Sequence, residues 1–241
     1  MRDNGLMQGG VMKYDSAGYY IDLATFSIDI LQSRLGHIHL TPSQQVLTED
    51  MDARFAILQA QGIHNLQQLQ IALKTKKALA AFAERSGLPL DFLTVLRRWV
   101  NGYHPKPVRL ADLPPVDPNA VDRLAAQDIH DTLELFPKVR TPALRADLAE
   151  ETKISPEQIM LLTKLTDLCR LKWVGPKFAH LLLVSGYDTV EKIARADGIA
   201  LYHHLQRVSK ESGVYQGGFG ENDINLWVKH IVCDVPLTIT Y

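Results

Sequence analysis

Apolar residues recur at helical spacing along most of the chain. Leu23, Phe26, Ile30 and Leu31 form one such stripe, Leu47, Met51, Phe55 and Leu58 a second, and Phe92, Leu93, Leu96, Trp99 and Val100 a third. Ile159, Leu162, Leu165 and Leu168 continue the pattern. Helix starts are marked where a capping side chain precedes a proline, at Thr41-Pro42, Asp117-Pro118, Thr141-Pro142 and Ser155-Pro156. Gln158, three residues after Ser155, adds a capping-box spacing. Gly36, Gly62, Gly87 and Gly186 follow periodic segments and predict left-handed C-terminal caps. Only Tyr19-Tyr20-Ile21 and Leu237 to Tyr241 have β character; they read as frayed ends in preference to a two-stranded ribbon. The expected fold is all-α, with short irregular N- and C-terminal arms.

The pattern also repeats. An offset of 66 places Gly62-Ile63-His64-Asn65 on Asp128-Ile129-His130-Asp131 and Thr75 on Thr141. After an insertion around Tyr103 to Val108 the offset becomes 58, and Leu110, Leu113, Val116 and Pro118 fall on Leu168, Leu171, Val174 and Pro176. Tandem units are therefore expected: an arm over 1–21, a first helical unit over 22–120 and a second over 121–241.

Composition narrows the function classes. At 241 residues and 46% hydrophobic content a packed core is expected, and a formal charge of -1 provides no global attraction to phosphate. Nucleic-acid binding then requires a local patch. Cys169 and Cys233 lack metal-ligand spacing and fit a reducing compartment, with the cytoplasm the simplest address. No apolar run suits a membrane helix. Residues 1–11, polar and glycine-rich ahead of Met12, read as a translation extension or a mobile tail.

From Thr166 to Asp197 the chain predicts helix, tight turn at Val174-Gly175-Pro176, helix, second turn at Gly186, helix. This run resembles a helix-hairpin-helix element. The segment from about 124 to 232 is similar to the domain-of-unknown-function family numbered 4332, of the helix-hairpin-helix superfamily. The elements carrying the likeness are Arg145 to Ile154, Thr166-Asp167-Leu168-Cys169-Arg170-Leu171, Trp173-Val174-Gly175-Pro176-Lys177, Gly186-Tyr187-Asp188-Thr189-Val190 and Leu226-Trp227-Val228. The family's Trp-Val-Asn survives only in the first unit, as Trp99-Val100-Asn101. The resemblance implies hairpins whose backbone N–H groups, helix start and nearby lysine meet a phosphate. Gly175, Lys177 and the helix after Pro176 suit that role. Trp173 occupies the first hairpin glycine, where an indole is expected to block phosphate or remove the φ > 0 conformation the turn needs. In the first unit Asp117 replaces any cation and would repel phosphate.

Residues 74–109 hold the one basic stretch, with Lys74, Lys76, Lys77, Arg97 and Arg98 among its eight cations against Glu84 and Asp91. The leading expectation is weak, non-sequence-specific binding of DNA or RNA through backbone phosphates. Arg170, Lys172, Gly175 and Lys177 would serve at the hairpin, assisted by Lys74, Lys76, Lys77, Arg97 and Arg98. The alternative is a scaffold for a protein partner or for a second copy of the chain, which an exposed apolar patch would favour. No catalytic, metal or cofactor site is assigned. His37-Ile38-His39 read as a loop, and Gln216 to Gly220, lacking a lysine and a preceding strand, as a flexible linker. An enzyme reading would need a pocket that joins His37, His39, His64, His130, His180 or His203 to a carboxylate.

Overall fold

The computed structural model describes residues 18–38 and 40–241; the tail expected over 1–11 and His39 lie outside the described residues. The helices follow in chain order as α1 (Ile28–Leu35), α2 (Met51–Ala60), α3 (Leu66–Ala72), α4 (Lys76–Ser86), α5 (Leu90–Asn101), α6 (Pro118–Ala125) and α7 (Thr132–Val139). They continue as α8 (Pro142–Thr152), α9 (Pro156–Cys169), α10 (Pro176–Val184), α11 (Val190–Ala194), α12 (Gly198–Ser212) and α13 (Glu221–His230). Short 3₁₀ turns cover Pro42–Leu47, Leu110–Asp112 and Val232–Asp234, and no strand occurs among the described residues. The fold is all-α.

The caps explain most boundaries. Asp117, Thr141 and Ser155 each accept a backbone N–H in the first turn of α6, α8 and α9, with proline next in sequence. Thr41-Pro42 opens a 3₁₀ turn instead of an α-helix. Gln158 does not complete the box expected at Ser155, because its Oε1 is buried without a partner. Gly62, Gly87 and Gly186 take φ of 81°, 73° and 79° as expected, whereas Gly36 stays right-handed at φ -70°. At Gly36 the backbone N–H bonds back to Gln32, as in a continuing helix, so no left-handed residue is needed there.

One buried apolar cluster runs from Ile21 to Val235. Its axis is α9, which buries Ile159, Leu162, Leu165 and Leu168 together with Thr163, Thr166, Asp167 and Cys169. A helix buried around most of its circumference must be covered on several sides, and α7, α8 and α10 all pack on it. The same backbone clasp closes two places in the chain. Ile28 N–H donates to the His64 carbonyl at 3.0 Å and Leu66 N–H to that of Phe26 at 3.0 Å; Leu110 N–H donates to His130 at 2.9 Å and Thr132 N–H to Val108 at 2.9 Å. In each, an N-capping Asn65 or Asp131 follows the histidine.

The arms are not frayed. Tyr19 is fully buried, packs edge-to-face on Phe136 and shares a hydrogen bond of 2.7 Å with Thr132. Ile239 joins the same small cluster. The Thr238 hydroxyl donates to the Gly18 carbonyl at 3.0 Å, so the arms meet through side chains without forming a ladder.

Candidate functional site at the hairpin

The 173–177 hairpin begins where α9 ends. Leu171 and Val174 N–H groups close tight turns on Leu168 and Leu171, and Gly175 caps α10 in extended conformation. Between them Trp173 adopts φ 71°, the conformation an indole was expected to forbid. A bulky residue in the left-handed region costs roughly 1 kcal/mol or more and persists only where its surroundings hold it. Here Trp173 packs edge-to-face on Trp99, with ring centroids 5.4 Å apart, yet leaves 54% of its surface exposed.

The four hairpin residues assigned to phosphate divide into two pairs. Gly175 and Lys177 are exposed, and Lys177 has no hydrogen-bond or ion-pair partner among the described residues. Arg170 and Lys172 are each only 2% exposed, which removes them from any phosphate-facing surface. Arg170 directs its Nε to Asp167 at 2.8 Å and its other nitrogens to the carbonyls of Gly18 and Pro236 at 3.1 and 2.8 Å. Asp167 in turn accepts from Val190 N–H and the Tyr241 hydroxyl, both at 2.9 Å. This buried pair joins both arms to the helix that feeds the hairpin.

Lys172 turns the other way, into an aromatic cage. Its Nζ donates to the Trp99 carbonyl at 3.0 Å and lies 4.0 Å from the centroids of Trp99 and Tyr103 and 4.7 Å from that of Trp173. Gly102 makes room for it: a Cβ there would stand 2.9 Å from the lysine Cε. Burial pushes the amine well below the usual lysine value of 10.5. The unfolded chain then binds one more proton than the folded chain between the lowered value and about 10.5. Stability is therefore expected to rise with pH on the alkaline side, up to about pH 10, in urea titrations, and Lys172→Met is expected to lose that component of the slope. An unchanged slope in the variant would show that the amine is fully charged in its cage.

The basic stretch forms a separate group. Lys74, Lys76, Lys77 and Arg98 are exposed, Arg97 is half-buried, and none has a partner among the described residues. Gln70 donates to Asn101 at 3.4 Å, which brings the corner between α3 and α4 to the end of α5. At about 100° per residue, Asn101 lies between Arg97 and Arg98 on the helix surface and about 160° from Trp99. The hairpin, seated on Trp99, thus meets the opposite side of α5 from the one nearest these basic residues.

Beside the hairpin lies an open cleft of about 690 Å³, lined by Leu113, Pro114, Trp173, Pro176, Phe178 and Tyr215. Its charged members are Asp112 and Lys177. Arg109 holds Asp112 through two hydrogen bonds of 2.9 and 2.8 Å. Asp117, expected to oppose phosphate at the first hairpin, caps α6 and is not part of the lining. Phe178 anchors the floor, packing at steep interplanar angles on Tyr215, Phe219 and Trp227 with ring centroids 5.2, 5.7 and 6.0 Å away. Within the Gln216 to Gly220 segment Phe219 is thereby tied to these rings, while Gln216, Gly217 and Gly218 stay exposed. Gly217 seats Tyr215, since a Cβ there would come within 2.4 Å of the hydroxyl. Tyr215 and Phe219 flanking a glycine run were the sequence signal for this wall.

A second open cleft, of about 390 Å³, joins His37 and His230 to Asp29 and Arg34. Burial, aided by the Arg34 charge, lowers the His230 imidazole. Asp29 accepts from Gln59 at 2.6 Å, and Arg34 pairs with Asp234, so both charged groups are already engaged. His203 meets Glu221 at 3.2 Å on the exposed surface. Among the described residues no group of three or more His, Cys, Asp or Glu side chains could hold a metal ion, and no helix is long and apolar enough to cross a membrane.

Residues 114–231 match, once, the family model described as Domain of unknown function (DUF4332). No curated protein and no solved structure matches the chain.

Proposed function

We propose that the chain is a non-catalytic interaction module of helix-hairpin-helix type that docks a protein segment in the cleft beside residues 173–177. The observation that carries this reading is Trp173, a large indole held in a left-handed turn and left more than half exposed over an apolar, aromatic-lined cleft. Tryptophan is among the residues that dominate binding energy when it fills such a surface. Two related units, taken as 22–120 and 121–241, fit the left-handed turns at Gly62 and Asp128 and the matched clasps at His64 and His130, the second of which crosses between the units through Val108 and Leu110. The cleft then lies between the hairpin of the second unit and the stretch of the first around Leu113 and Pro114. The unpaired Cys169 and Cys233 support a reducing compartment such as the cytoplasm.

Selection of a random-peptide display library on the protein, with Trp173→Ala as counter-target, tests this reading. Enrichment of peptides that bind wild type at least about tenfold better is expected; a selection that yields none removes it.

A second reading rests on the five cations without partners around α3, α4 and α5. Weak nucleic-acid binding there would fall steeply with salt as counterions are recaptured. Lys76→Glu with Lys77→Glu would weaken the binding of a labelled duplex, while Lys177→Glu would leave it unchanged. No low-salt binding at micromolar protein excludes it.

A further inference from the structure

The cleft's own chemistry narrows the class of segment it takes. Its walls are mostly rings and prolines: Trp173, Pro176 and Phe178 from the hairpin and the start of α10, Leu113 and Pro114 from the chain between the 3₁₀ turn at Leu110–Asp112 and α6, Tyr215 from the loop after α12. Two polar hydrogens stand among these walls without acceptors. Neither the Trp173 indole N–H nor the Tyr215 hydroxyl has a hydrogen-bond partner among the described residues. The site therefore offers apolar rings, two of which carry a donor left without a protein acceptor among the described residues.

A helix does not suit such a surface, because its interior carbonyls are already bonded. A polyproline II chain does: it forms no internal hydrogen bonds, so its carbonyls remain acceptors, and its rings present flat apolar faces. Aromatic-lined grooves with such donors are a recurring way of reading it.

Charge separates this occupant from a nucleic acid. One carboxylate and one cation line the cleft, and the carboxylate is neutralised by Arg109. With Arg170 and Lys172 buried, Lys177 is the one cation of the lining, and it has no partner among the described residues. A row of phosphates needs a continuous basic track, which this lining lacks. A lone cation instead calls for one carboxylate on an otherwise uncharged segment.

We propose that the cleft binds an extended, proline-rich segment in polyproline II conformation, with the Trp173 indole and Tyr215 hydroxyl donating to its carbonyls and Lys177 pairing with an acidic residue beside the prolines. This rests on the docking reading above and specifies its ligand.

The test uses the full chain and three fluorescein-labelled probes: an octaproline peptide carrying one terminal glutamate, a glycine-serine peptide of equal length and charge, and an oligothymidylate. The octaproline probe is expected to bind in preference to both others. Trp173→Ala should weaken it at least about tenfold, and Tyr215→Phe, which keeps the ring, should weaken it by a smaller factor. Lys177→Glu should weaken it several-fold and recover binding when the probe's glutamate is changed to lysine. Circular dichroism of each variant confirms folding, and Tyr215→Phe and Lys177→Glu keep the test decisive if Trp173→Ala unfolds. Equal binding of the octaproline and glycine-serine probes overturns the proposal. So does Trp173-dependent binding of oligothymidylate, which would assign the cleft to nucleic acid. If the display library yields Trp173-dependent peptides without proline, docking stands and this proposal falls; if it yields none, both fall.

Discussion

Asp167→Ala is expected to lower stability by about 3–5 kcal/mol, the range found when one partner of a buried ion pair is removed. The side chains of Asp167 and Arg170 are only 3% and 1% exposed, so water cannot replace the lost carboxylate. The guanidinium would keep two carbonyl acceptors but no counter-charge, and Val190 N–H and the Tyr241 hydroxyl would lose theirs. For a chain of this size the melting temperature should fall by roughly 6–20 °C. Glu191→Ala provides the contrast. It breaks the exposed i,i+4 pair with Arg195 and is expected to cost less than about 0.5 kcal/mol. The double variant Asp167→Leu, Arg170→Met should be less damaging than Asp167→Ala alone, because no uncompensated charge remains. Urea unfolding of all three settles the point; a cost below about 1 kcal/mol for Asp167→Ala would mean that water reaches the guanidinium.

Lys172→Glu is the second large effect, with an expected loss of at least about 4 kcal/mol or failure to fold. The aromatic faces that surround Nζ carry negative quadrupole density, which attracts a cation and repels a carboxylate. The Trp99 carbonyl, now a hydrogen-bond acceptor for the amine, would face another acceptor. Lys172→Met should lie within about 1 kcal/mol of wild type near pH 7, since a thioether packs well on aromatic rings. It also strands no carbonyl, because Trp99 still accepts from Gly102 N–H at 3.2 Å. A folded, stable Lys172→Glu protein would show that the cage opens to solvent.

These two residues also mark where the sequence stops being informative. Helix positions were legible because caps and apolar period are local: Thr141-Pro142 or Gly87 needs no knowledge of distant chain. The fate of Arg170 and Lys172 was not local. Beside a hairpin they looked like surface cations, but burial depends on Trp99 and Tyr103, some seventy residues earlier, and on Gly18 and Pro236 at the arms. The i,i+3 spacing of Asp167 and Arg170 was visible, though spacing alone does not distinguish an exposed pair from a buried one. The arms misled for a similar reason, since the partners of Tyr19 are Thr132, Phe136 and Ile239. At Trp173 the backbone requirement of the turn was read correctly, and the residue's tolerance of it was not. The edge-to-face contact with Trp99 supplies the support that a glycine would not need. The cleft escaped notice because its walls come from three separated stretches, around 113, 176 and 215.

The Arg170 guanidinium touches Gly18 and Pro236 at once, and Thr238 closes onto Gly18 beside it. Through that side chain the polypeptide from 18 to 238 is in effect a ring. Peeling one arm away removes a ligand from the group that holds the other, so neither can detach without loosening its counterpart. Tension applied at either arm would be passed by Arg170 and Asp167 into α9, directly behind the hairpin.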